Sequence, residues 1–214
     1  MLGLFALNRE GISGSVLQMI NHGLSTGALF CIVGMFYERY HTRQLTELGG
    51  LATKLPLLAV AMVFTSFASI GLPGLNGFVG EFLCLAGMFR AGDGLGVLFS
   101  ALGAMGVVLG AWYLLGVLQQ AFFGPVKVPA EDHSHGHHEP VADLNAREVA
   151  ALAPLLGLCL LLGLFPQPLI ELIRPDVEAV ARQYDGPIAV KVKVVAAESM
   201  NETPSVALGS EVQP

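Results

Sequence analysis

Residues Ser69–Phe82 read SIGLPGLNGFVGEF, and the architecture turns on how they fold. Gly71, Pro73, Gly74 and Gly77 crowd into it, and a carboxylate, Glu81, follows directly. Proline removes a backbone donor and clashes with the preceding turn, while glycine relaxes the helical restraint. A helix running through this segment breaks near Gly71–Gly77. Apolar residues flank it on both sides, over 56–91. Backbone groups freed inside a membrane cannot face lipid, so the break must be buried in protein or line a watery cavity. Half-helices meeting around a site at mid-membrane is the arrangement that transporters use.

Composition places the whole chain in a membrane. Among its 214 residues 53% are hydrophobic and 13% charged, and mean hydropathy is +0.63. A soluble domain carries about a quarter of its residues as Asp, Glu, Lys or Arg. The net charge of −6 lies mostly in the tail and one loop, and with no basic patch or stripe nucleic acid is not a partner. Cys31, Cys84 and Cys159 are isolated in apolar surroundings and read as small core hydrophobes, without metal or redox spacing. The opening MLGLFALNREGISG lacks the basic and apolar regions of a cleavable signal peptide.

The layout is all-α and polytopic, with about four transmembrane helices at 15–37, 56–91, 95–123 and 148–165. A helix needs about 20 residues to cross the hydrocarbon core. The 36 residues of 56–91 are therefore long for one straight span and short for two. If they cross once, discontinuously at 71–77, loops 38–55 and 124–147 share a side. Those loops hold Arg39, Arg43, Lys54, Lys127 and Arg147, so the positive-inside rule puts them in the cytoplasm. A hairpin of two spans splits the basic residues less cleanly. The membrane domain is assigned to 1–172; residues 173–214 continue an amphipathic segment into a polar tail with the composition of disorder.

Glu81 stands about one turn past the break, at the start of the second half-helix. The helix dipole favours its charge there and loss of water opposes it, which leaves a carboxyl able to load and release a proton. The plainer reading is a boundary glutamate facing water at a hairpin turn. On the first span Ser15, Gln18, His22 and Ser25 recur at helical spacing and share a face, with Asn21 and Thr26 beside them. A polar stripe on a membrane helix faces protein or water. Imidazole suits proton transfer at physiological pH; a hydrogen-bonded packing histidine is the alternative for His22. Gly96, Ser100, Gly103, Gly106 and Gly110 read as close helix packing, and Trp112 and Tyr113 as interior packing. His133, His135, His137 and His138 form a weak metal-binding tract. A metal transporter would also need intramembrane ligands at helical spacing, so the tract reads as a solvated linker and no metal site is assigned.

Several of these segments carry a resemblance. SGSVLQMINHGLSTGALFCIVGMFYERYHTR, GGLATKLP, ASIGLPGLNGFVGEFLCLAG and LGLFPQPLIE closely resemble the chain M family of antiporter-like membrane subunits in proton-pumping NADH–quinone oxidoreductase, respiratory complex I. The likeness covers roughly residues 1–172. Related antiporter-like chains carry Lys where this sequence has Glu81. The resemblance implies an inverted-repeat fold of which this chain matches the carboxy-terminal part, with a single, broken crossing at 56–91. It also implies that Glu81 is a proton-transfer carboxylate and His22 a member of a polar axis. The implied partners are the other membrane and peripheral subunits of complex I and the lipid bilayer. NADH oxidation and quinone reduction would fall to those subunits, since no cysteine cluster or nucleotide motif here would bind a redox cofactor. The family's central lysines lie outside the matched part, so this stretch alone is not expected to pump. The implied location is a bacterial inner membrane. A related cation/proton antiporter or membrane-bound hydrogenase subunit is the alternative, and a structural remnant without activity a further one.

Overall fold

The computed structural model describes residues 1–42, 44–92, 94–127 and 142–184. The histidine tract at 133–138 and the tail from 185 onward lie outside the described residues. Among the described residues seven α-helices follow one another: α1 (Leu2–Phe5), α2 (Arg9–Tyr40), α3 (Pro56–Ile70), α4 (Asn76–Arg90), α5 (Gly94–Phe122), α6 (Ala146–Leu164) and α7 (Gln167–Arg182). Three of them, α2, α5 and α6, are long and apolar enough to cross a membrane.

Local chemistry sets the boundaries. Asn8 caps α2 by accepting from Gly11 N at 2.9 Å, and α2 stops where His41 turns left-handed at φ 49°. Pro56 opens α3, where its missing N–H leaves no unmet bond, and Gly71 closes it at φ 79°. A reciprocal capping box between Asn145 and Glu148 starts α6. The first span thus begins at Arg9, a turn and a half before Ser15. In the same way α7 is one helix from Gln167, running through position 172.

Contacts at the two ends fix how the chain threads. At one end, the Leu57 and Leu58 amides that open α3 donate to Asp143 Oδ2 and Oδ1 at 2.7 and 3.2 Å. Gly49 and Lys127 exchange backbone bonds of 3.0 and 2.9 Å nearby. The Arg39 guanidinium, at the end of α2, grips Glu148 at the start of α6 through two bonds of 2.7 Å. At the other end Arg90, closing α4, meets Glu10 of α2 at 2.6 Å. There Val177 and Ala181 of α7 pack on Ile12. The described residues of loops 38–55 and 124–147 therefore share a side, and α3 with α4 makes one crossing. At about 1.5 Å per residue neither 15-residue half-helix spans the core alone.

The core lies toward the Arg39 end, where Ala28 and Ile32 of α2 meet Leu55, Leu58, Phe122 and Leu152. Two sequence readings change here. Trp112 is 80% exposed, with Tyr113 also on the surface, so neither is interior packing within this chain. Cys31 is exposed rather than in the core. Of the small residues on α5, Gly96 and Gly103 press on the α4 side and Ser100 Oγ donates to Leu85 O at 3.0 Å, whereas Gly106 and Gly110 meet nothing.

Candidate functional site

The break runs from Gly71 to Leu75. Gly71 and Gly74 take φ values of 79° and 95°, a region that other residues rarely enter. Leu72 N bonds back to Phe67 O at 3.0 Å and Leu75 N to Leu72 O at 3.0 Å. Leu72 and Pro73 are the outward-facing members of the turn. One has its N–H satisfied and the other has none, so the exposed side of the break presents no unmet amide. On the inner side Leu75 and Asn76 are buried, and Gly163 of α6 sits against Gly74 O and Leu75.

Helix α4 then returns along α2 in antiparallel fashion, joined by polar rungs. Asn8 Nδ2 donates to Gly87 O at 2.7 Å. Ser15 Oγ lies 3.7 Å from Cys84 Sγ. Gln18 Nε2 donates to Glu81 Oε1 at 3.3 Å. Asn21 Nδ2 donates to Asn76 O at 2.6 Å, and Asn76 Nδ2 to Asn21 O at 3.3 Å. Glycines let the backbones come this close: a β-carbon on Gly14 would fall 2.7 Å from Cys84 N, and Gly87 faces Gly11.

Glu81 is half-buried in this seam. Gln18 is its one hydrogen-bond donor among the described residues, and no cation there pairs with it. It is the sixth residue of α4, beyond the first turn where a helix dipole acts strongly. The dipole relief expected for it is therefore weak. Its carboxylate instead lies beside Gly71, the cap of α3. Besides Tyr40 Oη at the far end of α2, five buried side-chain oxygens among the described residues have no protein partner: Gln18 Oε1, Asn21 Oδ1, Asn76 Oδ1, Ser66 Oγ and Ser69 Oγ. These five belong to the three segments that meet at the break, and acceptors of this kind are the usual partners of internal water.

The polar stripe of α2 turns out to be rotated. Ser15, Asn21 and Ser25 are buried and Gln18 half-buried, while His22 faces outward with Nδ1 3.2 Å from Thr26 Oγ1. Spacings of three, three and four fit the inner face as well as those read through His22 do. Asn21 is thus the inward residue, and among the described residues His22 hydrogen-bonds to neither Gln18 nor Glu81. Asn76 lies inside the stretch Ser69–Phe82, where an Asn followed by Gly reads from sequence as turn chemistry and not as a tether between helices. The Arg39–Glu148 pair was half visible: Asn145 and Glu148 have capping-box spacing, but Arg39 lies 109 residues away.

Comparisons with known proteins place this geometry. A family model described as NADH:quinone oxidoreductase/Mrp antiporter, transmembrane, matches residues 1–107, which include the break and Glu81. NADH-quinone oxidoreductase subunit M of Rhodobacter capsulatus is 35% identical over 195 residues, 91% of this chain and 36% of its own length. The protein of that name from Mycobacterium tuberculosis is 39% identical over 176 residues, 82% of this chain and 30% of its own length. A chain in the structure of respiratory complex I from Thermus thermophilus with bound NADH superposes with a TM-score of 0.73 at 32% identity, over 86% of this chain and 36% of that one. A chain of the Mrp complex from Dietzia sp. DQ12-45-1b gives 0.65 at 24% identity, over 86% of this chain and 40% of that one, and so shares the fold. The chain spans about a third of the length of the curated relatives it matches.

Proposed function

The chain belongs to the NADH:quinone oxidoreductase/Mrp antiporter transmembrane family, and from that premise we propose that it serves as part of a proton-translocating membrane subunit of NADH–quinone oxidoreductase, respiratory complex I, in a bacterial inner membrane. One observation carries the reading: a half-buried carboxylate, Glu81, set beside a helix break and bonded to a single neutral donor, Gln18. An ionisable group so placed in a membrane helix is functional by default. Glu81 takes up and gives back the proton. Gln18 holds the carboxyl toward α2, and the unpartnered oxygens of Ser66, Ser69, Asn21 and Asn76 supply acceptors along the seam. His22 with Thr26 forms a second polar station on the outer face of α2, facing whatever covers that face. Redox chemistry is assigned to partner subunits and no cofactor to this chain; their turnover changes the surroundings of Glu81 and so the side on which it exchanges protons.

The test is Glu81→Gln in the assembled oxidoreductase, sealed into vesicles, with protons translocated counted per NADH oxidised. The ratio falls while NADH oxidation continues; an unchanged ratio in a fully assembled complex removes Glu81 from the path. A second reading, a subunit of a related cation/proton antiporter or membrane-bound hydrogenase, is favoured by the shared fold of the Mrp chain. Under it, proton movement would respond to an imposed cation gradient without NADH.

A further inference from the structure

Asn21 and Asn76 are 1% and 0% exposed. Neither titrates and neither bonds to Glu81, yet each donates its side-chain amide to the other's main-chain carbonyl. Bonds made this way in both directions fix two backbones, not merely two side chains. Their position matters as much as their pattern. Asn76 is the first residue of α4, and the preceding Leu75 supplies no side-chain cap. A helix that starts directly after a glycine turn, without a cap, has its direction set by whatever tertiary bond holds its first turn. Here that bond runs to α2.

The register follows from there. With α2 and α4 antiparallel and Asn21 opposite Asn76, one turn back along α2 is Gln18, and a turn and a half along α4 is Glu81. Each residue turns a helix by about 100° and advances it about 1.5 Å. A small rotation or slide of α4 would therefore carry the carboxyl beyond reach of Gln18, whose bond is already long at 3.3 Å. Ordinary packing does not account for the pair. An apolar side chain of similar size would fill the space without desolvating two amides, and each asparagine keeps a buried Oδ1 with no partner.

We propose that Asn21 and Asn76 are positioning residues of the proton site: they lock the first turn of α4 onto α2, so that the Glu81 carboxyl meets Gln18 instead of swinging with the break. This rests on the reading of Glu81 as the proton carrier.

The experiment measures protons translocated per NADH oxidised in sealed vesicles of the assembled oxidoreductase. The variants are Asn76→Ala, Asn21→Ala, Gln18→Ala, Glu81→Gln, and Asn76→Ala combined with Gln18→Ala. Because the ratio is taken per NADH, a mere fall in the amount of assembled complex does not move it. Either asparagine variant is expected to lose at least half of what Glu81→Gln loses, and adding Gln18→Ala to Asn76→Ala is expected to remove little more. Wild-type ratios in both asparagine variants, with Glu81→Gln impaired, overturn the positioning role and leave the proton site standing. Strictly additive losses for Asn76→Ala and Gln18→Ala also overturn it. An unchanged ratio in Glu81→Gln itself sinks the underlying reading. Where an alanine variant does not assemble, Asn76→Ser, which shortens the reach of the donor, is judged by the same criterion.

Discussion

Gly71 lies against the carboxylate of Glu81: a β-carbon at position 71 would stand 3.0 Å from the carboxyl carbon and closer still to one oxygen. The same glycine ends α3 at φ 79°. One residue thus meets two demands, a left-handed backbone and an empty place for an acid. Breaking the helix and seating the carboxyl are coupled by sterics, and this coupling can be tested apart from the backbone strain.

Gly71→Ala and Gly74→Ala each force an L-residue into the left-handed region, at about 1–2 kcal/mol. Only Gly71 has the carboxylate in the way; a β-carbon at Gly74 would meet nothing within 4 Å. Both variants are expected to lower the thermal midpoint of the complex. Only Gly71→Ala should lower the proton-to-NADH ratio. Equal ratios in the two would separate the break from the acid.

Gln18→Leu removes the donor to Glu81 and keeps the bulk. One hydrogen bond is worth about 1 kcal/mol, or about fivefold in an equilibrium constant. The protonation step should shift by that order while assembly and thermal stability hold. A variant whose proton transfer is indistinguishable from wild type across the working pH range would show that the 3.3 Å contact has no part in the site.

Arg39 and Glu148 are each 11% exposed as side chains, and the pair ties the end of α2 to the start of α6. Arg39 also donates to the carbonyls of Met35, Ala142 and Asp143. Removing one partner leaves the other charge buried and alone, at about 3 kcal/mol or more. Arg39→Gln and Glu148→Gln should each lower the thermal midpoint, and the double variant should lower it by less than the sum. The proton-to-NADH ratio of whatever complex assembles should stay at the wild-type value. Full additivity would argue that the two residues act separately.

The threading predicts which side each loop faces. Single cysteines at Lys54 and Arg147 should react with a membrane-impermeant maleimide from the cytoplasm, and one at Arg90 from the opposite side. Labelling of Lys54 and Arg90 from the same side would replace the single broken crossing with a hairpin.

Much of this was readable in advance where the cause is local. Gly71, Pro73 and Gly74 break a helix because of their own backbone restraints, whatever surrounds them. The apolar runs demand a membrane because burying that much hydrocarbon in water-soluble form would need polar cover the chain lacks. Loops 38–55 and 124–147 share a side if 56–91 crosses once, and their arginines and lysines are what points that side to the cytoplasm. Trp112 reads as interior from sequence and is exposed in the fold, because hydropathy measures how apolar a residue is, not whether its own chain or something else covers it.

What the sequence alone determined is the set of apolar helices, the place where one of them must stop and restart, and the acid just beyond it; each follows from restraints acting over one or two turns. The rotation of α2 came from long-range packing. Ser15, Gln18 and Ser25 share a helical face equally well through His22 or through Asn21, since the period of 3.6 lies between the two spacings. The choice came from the close glycine seam with α4, which turned Asn21 inward to Asn76 and left His22 outside. The pairings of Gln18 with Glu81 and of Arg39 with Glu148 likewise join distant positions, and no local rule ranks one such partner above another.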